Sequence, residues 1–306
     1  MKNKKKSICI ISAFYNEEQN LRKFIKNFDL ARSKLIKMGY VPKLALVNDG
    51  SYDNSKKIVQ EIMQSKKYIK LINFQKNYGQ QLAIYSALKR EKADFYGALD
   101  SDCQQDPNYF IKMISKLKLR KVELIQMKKK YGNYESEVKK FFSKCFYYFF
   151  SNFTKIDIEP GSSDFYLFTY KVRNKIVSSN SSKLFLRGFV HYIGLNKHYI
   201  DYTPLKRIKG RSKYTTARQI DFALTAVYLY AKNYFIGIFV LFLFFNYLFT
   251  KFLFDKSFFL NQKFIELNTH EYFSLLSGII SLLISCWLTY FLIRIYKKIS
   301  IIPKLK

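Results

Sequence analysis

Residues 99–107 read Leu-Asp-Ser-Asp-Cys-Gln-Gln-Asp-Pro, and they continue the short apolar run 94–99, Asp-Phe-Tyr-Gly-Ala-Leu. A short apolar run between polar residues is typical of a buried strand. The strand would end where three carboxylates arrive, those of Asp100, Asp102 and Asp106. Two interpretations are open at this point. The carboxylates form a functional cluster at a strand end, or they belong to a solvated acidic turn before a helix that starts near Pro107.

The functional interpretation points to a metal ion. Side chains two residues apart on an extended chain point the same way, so Asp100 and Asp102 can converge. Two carboxylates held that close repel each other unless a cation lies between them. With the amide of Gln104 they offer hard oxygen ligands, which suit Mg²⁺ or Mn²⁺ better than zinc.

Alternating strands and helices surround this stretch. The predicted strands are 8–13, 44–47, 69–72, 94–99 and 123–127, and helical patterns follow the first four. This order predicts an α/β fold, a mostly parallel sheet with helices on both faces. Ligands bind at the carboxyl ends of the strands in such sheets. Several polar residues fall at these ends besides the Asp100 cluster: Asn16, Glu17, Asn48, Asp49, Asp53 and Asn77.

Charge and composition narrow the class of partner. The chain has 53 basic and 22 acidic residues, a net charge of +31, and 18% of its residues are aromatic. Such charge calls for an acidic partner or surface. Nucleic acid is disfavoured because no known binding module is visible, whereas long apolar runs near the C-terminus favour a membrane. The four cysteines and three histidines are scattered, so neither zinc nor disulfides are expected.

The strand-end residues also limit the kind of ligand. The sequence has no Gly-x-Gly-x-x-Gly after its first strand and no Gly-x-x-x-x-Gly-Lys loop, which disfavours a dinucleotide dehydrogenase and a P-loop NTPase. Carboxylates and amides suit hydrogen bonds to a base and ribose, with a metal bridging a diphosphate.

Four segments together carry a family resemblance: Ser-Ala-Phe-Tyr-Asn-Glu-Glu from residue 12, Val-Asn-Asp-Gly-Ser-Tyr-Asp-Asn-Ser from 47, Asn-Tyr-Gly-Gln-Gln from 77 and Leu-Asp-Ser-Asp-Cys-Gln from 99. Their order resembles the family 2 glycosyltransferases of the GT-A (Rossmann-like) fold. More narrowly, the chain from residue 7 onward is similar to the polyprenyl-phosphate glycosyltransferases, which include dolichol-phosphate mannose synthase and bactoprenol glucosyltransferases. It departs from the family pattern at Ser12, Asn48 and residues 105–107.

The resemblance implies a set of site residues. Asp100, Asp102 and Gln104 would bind the metal, and Asp102 and Asp164 would be catalytic. The residues implied to bind the nucleotide are Ala13, Tyr15, Asn16, Glu17, Asn48, Asp49, Ser51, Asn77, Gln80, Asp100 and Ser101.

Asp164 lies in Gly161-Ser-Ser-Asp-Phe-Tyr-Leu167, similar to a family segment that carries the catalytic base. The alternative is a helix N-cap. A phosphate monoester has a second pKa near ~6, so a polyprenyl phosphate is largely a dianion at neutral pH. Asp164 can therefore orient a substrate instead of accepting a proton.

Basic residues form the expected phosphate-binding set. Lys128–Lys130 would neutralise a diphosphate or form a solvated loop, and the cluster from 206 to 213 would clamp the acceptor phosphate or hold anionic lipid headgroups. The residues assigned to the phosphate and acceptor are Lys128, Lys130, Arg187, Arg207, Arg211, Ser212 and Lys213.

The C-terminal third predicts a membrane anchor. Residues 234–254 and 273–293 are apolar over nearly the ~20 residues that a membrane helix needs. Their outer flanks are basic, which puts the N-terminal domain and both termini in the cytoplasm. Two buried core helices would be the alternative. Residues 139–155, rich in aromatics and lysines, predict an interfacial helix over a core helix.

The expected organisation is therefore a catalytic domain over 1–215, a juxtamembrane helix over 216–233, a hairpin of two spans over 234–254 and 273–293, and a basic tail over 294–306. This places the protein in the cell (inner) membrane, and the resemblance implies a homo-oligomer there.

The expected function is inverting transfer of a sugar from a UDP- or GDP-sugar to a polyprenyl phosphate, with Mg²⁺ or Mn²⁺ as cofactor. Alternatives are a non-catalytic membrane protein that binds nucleotide or anionic lipid, and a glycosyltransferase with another lipid or glycan acceptor. A processive polysaccharide synthase is disfavoured, because the chain lacks Gln-x-x-Arg-Trp and its single Trp is Trp287.

Overall fold

A computed structural model describes residues 5–130, 148, 150–152, 154, 156, 158–179, 186–205, 225, 232–259, 276, 278–290 and 293. The chain divides into two compact units, Met1–Ile220 and Asp221–Lys306.

The first unit is built on a mixed sheet. Its strands are β1 (Lys6–Phe14), β2 (Tyr40–Asn48), β3 (Ile69–Asn73), β4 (Phe95–Ala98), β5 (Leu124–Lys129), β6 (Ser162–Thr169) and β7 (Lys197–Tyr202). They form one seven-stranded sheet in the order β3-β2-β1-β4-β6-β5-β7. The pairs β1–β2, β1–β4, β2–β3 and β5–β7 are parallel, whereas β6 is antiparallel to both β4 and β5. The predicted mostly parallel sheet is confirmed.

Helices cover the sheet because each one buries an apolar face. Those of the first unit are α1 (Glu18–Lys37), α2 (Ser55–Ser65), α3 (Gln80–Arg90), α4 (Tyr109–Leu119), α5 (Tyr170–Ser178) and α6 (Leu186–Tyr192). In α1 the buried residues Leu21, Phe24, Ile25 and Phe28 recur at helical spacing and pack into the core. Residues 81–88 of α3 are all buried, and this helix packs on β1, β2 and α5.

The position of Asp164 in strand β6 rules out one of its two interpretations. The sequence left open that Asp164 is a helix N-cap, but the structure places it inside an eight-residue strand. Asp164 is 9% exposed, and the next four residues, Phe165–Phe168, are buried between β4 and β5. The N-cap interpretation is therefore wrong.

The segment predicted as an interfacial helix is described only in part. Its described residues, 148, 150–152 and 154, are helical. Tyr148 is 66% exposed and Phe150 is buried. The interfacial position stays a prediction.

The second unit contains helix α7 (Lys232–Phe259), and residues 278–290 are also helical. The amide nitrogen of Asn246 on α7 donates to the carbonyl of Ser281 at 3.3 Å and to the hydroxyl of Ser285. Gly278 faces Phe249 so closely that a Cβ there would lie 2.0 Å from the ring. The two helices therefore pack on each other. Across the described residues, no helix combines the length and the apolar character needed to cross a membrane.

Candidate active site

The sheet register brings the predicted polar residues to one edge. Phe14 pairs with Asn48, Asn48 with Asn73, and Ile11 with Ala98. Because these four strands run parallel, their carboxyl ends lie at one edge of the sheet, and the turns that follow them lie side by side. The residues predicted to bind a nucleotide come from the last residues of these strands, from the turns that follow and from the first turn of α3.

Hydrogen bonds link the turns that follow β1 and β2. Asn16 has a positive φ of 53°, its N–H donates to the Ser51 hydroxyl at 3.0 Å, and its side-chain oxygen accepts the Tyr52 N–H at 3.0 Å. These bonds set Tyr15 edge-on to Tyr52, with ring centroids 6.0 Å apart. Glu17 follows, with its N–H donated to the Ser55 hydroxyl at 2.8 Å. The two turns therefore form one polar and aromatic rim.

Asn48 is buried at the end of β2. Its side-chain oxygen accepts the Ser51 N–H at 2.9 Å, and its nitrogen donates to the Asn73 side chain at 3.3 Å. Asn48 therefore ties the turn after β2 to the end of β3.

Asp49 holds the loop ahead of α3. Its two carboxylate oxygens accept the N–H groups of Tyr78 at 2.8 Å and Gly79 at 3.0 Å. Burial raises the pKa of Asp49 to about 6, although these two N–H groups act to lower it. Asn77 is exposed in the same loop. The observed contacts give Asp49 a role in shaping the loop, and its contact with a nucleotide stays a prediction.

Asp100 is held by two glutamines. Gln80, the first residue of α3, donates to one carboxylate oxygen at 2.6 Å, and Gln105 donates to the other at 2.8 Å. The oxygen of the Gln105 amide also accepts the Asp100 N–H at 2.9 Å. The carboxylate is thus oriented by neutral donors, which leave its negative charge in place.

Asp102 and its neighbours form a tight turn. The Ser101 hydroxyl donates to the Ala13 carbonyl at 3.1 Å, and Asp102 accepts the Gln104 N–H at 3.1 Å. Within the described part of the chain, no three His, Cys, Asp or Glu side chains are grouped to hold a metal ion. Mg²⁺ is commonly bound by one or two carboxylates plus substrate phosphates and water. The oxygen donors of Asp100, Asp102 and Gln104 fit that chemistry.

Asp164 lies at the same edge of the sheet, on β6, which runs antiparallel to β4. Ala98 of β4 pairs with Tyr166 of β6, so Asp164 lies beyond the paired end of β4, on the side where Asp100 follows that strand. The amide nitrogen of Gln81 donates to its carboxylate at 3.1 Å. Two consecutive glutamines of α3 therefore contact two of the predicted carboxylates, Asp100 and Asp164.

The structure describes only some of the predicted phosphate-binding residues. Lys128 lies near the end of β5, pairs with Ser162 of β6, and forms an ion pair with Glu159. Lys130 is exposed just after β5. The backbone of Arg187 lies in α6. Its side chain lies outside the described residues, as do Arg207, Arg211, Ser212 and Lys213.

Sequence reasoning missed the amides that arrange the carboxylates. Gln81, Gln105 and Asn73 were not assigned to the site, although each contacts a residue that was. The doubled Gln80-Gln81 directly after Gly79 was the available signal, since the first turn of a helix packed on β1 and β2 lies at their carboxyl ends.

Related structures share this fold. Mannosyl-3-phosphoglycerate synthase from Rubrobacter xylanophilus aligns over 72% of this chain and 72% of its own, with a TM-score of 0.54 and 11% identity. Glucosyl-3-phosphoglycerate synthase from Mycobacterium tuberculosis, solved in complex with Mn²⁺, uridine diphosphate and phosphoglyceric acid, aligns over 73% of this chain and 78% of its own, with a TM-score of 0.50 and 14% identity. The α/β unit therefore has the GT-A fold.

Sequence comparison points the same way. The uncharacterized glycosyltransferase sll0501 of Synechocystis is 25% identical over 73% of this chain and 69% of its own length. The bactoprenol glucosyl transferase of Shigella phage SfX is 22% identical over 72% of this chain and 71% of its own. Residues 9–179 match the family described as glycosyl transferase family 2. Since that match covers more than half of the chain, the protein belongs to glycosyl transferase family 2 and is a glycosyltransferase.

Proposed function

We propose that this enzyme transfers a sugar from a UDP- or GDP-sugar to a polyprenyl phosphate, with inversion at the anomeric carbon. One observation carries the proposal. Asp100 and Asp164 come from strands of opposite direction, reach one edge of the sheet, and are held by adjacent glutamines of α3. Such an edge offers carboxylates for the diphosphate side of a donor and a separate carboxylate for the acceptor side.

The rim formed by the turns after β1 and β2 is proposed to take the nucleoside. Its amide and hydroxyl groups suit the hydrogen bonds of a base and ribose, and the Tyr15 ring offers an aromatic surface. The structure of the Mycobacterium tuberculosis synthase, which contains uridine diphosphate, supports nucleotide binding by this fold.

Asp100, Asp102 and Gln104 are proposed to hold Mg²⁺ or Mn²⁺. The presence of Mn²⁺ in the Mycobacterium tuberculosis synthase supports this choice. The bound cation would offset the negative charge that develops on the leaving nucleoside diphosphate. Gln80 and Gln105 keep the Asp100 carboxylate oriented for this role.

The acceptor is proposed to be a polyprenyl phosphate. Relatives named bactoprenol glucosyl transferase support this class. The attacking oxygen belongs to a phosphate that is largely ionised at neutral pH, since its second pKa is about 6. Asp164 then orients this phosphate or the sugar. The acceptor phosphate is bound by the Ser212 hydroxyl and by six basic residues: Lys128, Lys130, Arg187, Arg207, Arg211 and Lys213.

The enzyme is proposed to work at the cytoplasmic face of the cell membrane, with residues 234–254 and 273–293 as its two spans. Among the described residues, no helix has both the length and the apolar character of a span. The sequence and the exposed side chains support the two spans. Both runs are almost wholly apolar in sequence, many apolar side chains of α7 and 278–290 are exposed, and the basic flanks favour a cytoplasmic side.

A transfer assay on the full chain in detergent tests the proposal. UDP- and GDP-sugars are offered with undecaprenyl phosphate, in the presence of Mg²⁺ or Mn²⁺ or of a chelator. We expect one donor to give a lipid-extractable sugar product that the chelator abolishes. Nucleotide binding without a product from any donor would instead favour a non-catalytic protein.

Asp102→Ala tests the metal assignment. We expect transfer to fall by roughly two orders of magnitude or more, because stabilisation of the leaving group is worth several kcal/mol. Asp94→Ala is the matched control. It removes a carboxylate next to the other end of β4, where Asp94 accepts the Ser7 N–H at 2.7 Å. Equal activity in the two variants would contradict the assignment.

A further inference from the structure

Two buried glutamines connect β6 to α6 in the same way. Gln81 donates to the Asp164 carboxylate at 3.1 Å and accepts the N–H of Leu186, the first residue of α6, at 3.0 Å. Gln126 of β5 donates to the Ser163 carbonyl at 3.0 Å and bonds to His191 near the end of α6 at 3.1 Å. In each glutamine, the amide nitrogen donates a hydrogen bond to β6 and the amide oxygen bonds to α6.

The direction of the Gln126 bond follows from its neighbours. The Lys197 ammonium group lies 3.0 Å from Nδ1 of His191 and can only donate. His191 therefore accepts at Nδ1 and donates from Nε2 to the Gln126 oxygen. The amide nitrogen of Gln126 donates to the backbone carbonyl of Ser163. Its contacts therefore hold α6 in place without reaching the Asp164 side chain.

Gln81 differs from Gln126 in what it holds on β6. Its partner there is a carboxylate side chain, and the bond from the amide restricts how that carboxylate rotates. Its partner on α6 is the backbone N–H of Leu186, the first residue of that helix. The neighbouring Gln80 orients Asp100, so one helical turn contacts both carboxylates and the start of α6.

We infer that Gln81 is a positioning residue for sugar transfer, which fixes the Asp164 carboxylate and the first turn of α6 through one amide. The inference rests on the proposed function, in which Asp164 orients the acceptor phosphate or the sugar. Gln126 anchors the same helix and is the matched control, since it contacts β6 only through the backbone.

Gln81→Met and Gln126→Met in the full, detergent-purified chain test the inference. Each removes one buried amide at nearly constant volume. We expect Gln81→Met to lower kcat by roughly 10- to 100-fold, because a small misplacement of a reacting group has effects of that size. Its KM for the sugar nucleotide should stay within about twofold of the parent's, and kcat of Gln126→Met within about threefold. Equal losses of kcat in both variants would overturn the inference and leave both glutamines a structural role.

Two measurements test the contacts of Gln81 independently of sugar transfer. Gln81→Met should speed hydrogen exchange of the Leu186 amide by at least about tenfold, whereas Gln126→Met should not. The unfolding midpoints of Gln81→Met, Asp164→Ala and the double variant should show coupling, with a double loss smaller than the sum of the single losses. Additive losses and unchanged exchange would overturn the inference. A parent protein that transfers no sugar overturns the proposed function and, with it, the positioning role of Gln81 in transfer. The coupling between Gln81 and Asp164 then tests only whether the two side chains interact.

Discussion

Amide groups hold three aspartates of the candidate site. Asp49 accepts two backbone N–H groups, Asp100 accepts two glutamine side chains, and Asp164 accepts one. A neutral donor orients a carboxylate without cancelling its charge, whereas a lysine would neutralise it. This arrangement suits a site that has to meet a cation or position a charged substrate.

Asp49 gives the site a measurable pH dependence. Its carboxyl has a pKa of about 6 in the folded protein, against an ordinary value of 3.8. The folded state therefore binds more protons than the unfolded state between these values, and stability falls as pH rises through this window. The contribution of Asp49 is fully present below about pH 4 and is lost above about pH 6.

We expect the parent protein to lose roughly 2–3 kcal/mol of stability from this group between about pH 4 and pH 7, and Asp49→Asn to lack that component. Denaturant unfolding of both proteins, followed by circular dichroism across that range, measures the difference. Asn at this position keeps an acceptor for one of the two N–H groups. Stability curves that stay parallel at every pH would contradict the assignment.

At the scale of elements, the turn after β2 and the loop before α3 touch through backbone atoms. Gly50 has φ +74°, and a Cβ there would lie 2.4 Å from the carbonyl carbon of Lys76. Only glycine allows this approach, which fixes the position of the loop that ends at Gly79. Because Gln80 and Gln81 follow directly, the placement of the amides on α3 depends on this contact.

Gly50→Ala tests that dependence, with Gly39→Ala as its control. Both glycines have positive φ, but a Cβ at Gly39 would meet nothing within 4 Å. Strain alone should cost about 1 kcal/mol at Gly39, and the added backbone clash should cost about 2 kcal/mol more at Gly50. Urea unfolding measures both losses. Equal losses would show that the loop moves aside freely.

The sequence predicted some elements well and others not at all. Each predicted strand, 8–13, 44–47, 69–72, 94–99 and 123–127, overlaps an observed one, because a buried parallel strand is a continuous apolar run that a polar turn ends. Strand β7, Lys-His-Tyr-Ile-Asp-Tyr, has no such run. The insertion of β6 between β4 and β5 depends on partners distant in sequence, which local patterns do not encode.

The same limit applies to the site. Asp100 and Asp164 could be found from the sequence because motifs carry them. The doubled glutamine after Gly79 is a local signal for Gln81, but the contacts of Gln81 and Gln126 with α6 could not be predicted. They depend on a spatial relation between β6 and α6, and α6 begins 105 residues after Gln81. Glutamine is also common on exposed surfaces, so its presence alone indicates little.

At the scale of the whole molecule, two kinds of surface could hold the protein at a membrane. The net charge of +31 attracts anionic headgroups. The second unit exposes apolar side chains such as Leu243 and Leu283, which water solvates poorly. The two modes differ in their response to salt, because electrostatic attraction is screened and insertion is not.

We expect the full chain to stay in the membrane pellet after washes with high salt and with alkaline carbonate. Leu243→Arg combined with Leu283→Arg should release much of it, because an Arg near the centre of a span costs about 2.5–3.5 kcal/mol on insertion. Leu30→Arg, on α1 of the first unit, is the control, since Leu30 is 57% exposed and Leu243 is 46% exposed. Immunoblots of pellet and supernatant measure the distribution. Release of the parent protein by salt alone would replace the proposed spans with attachment through the basic surface.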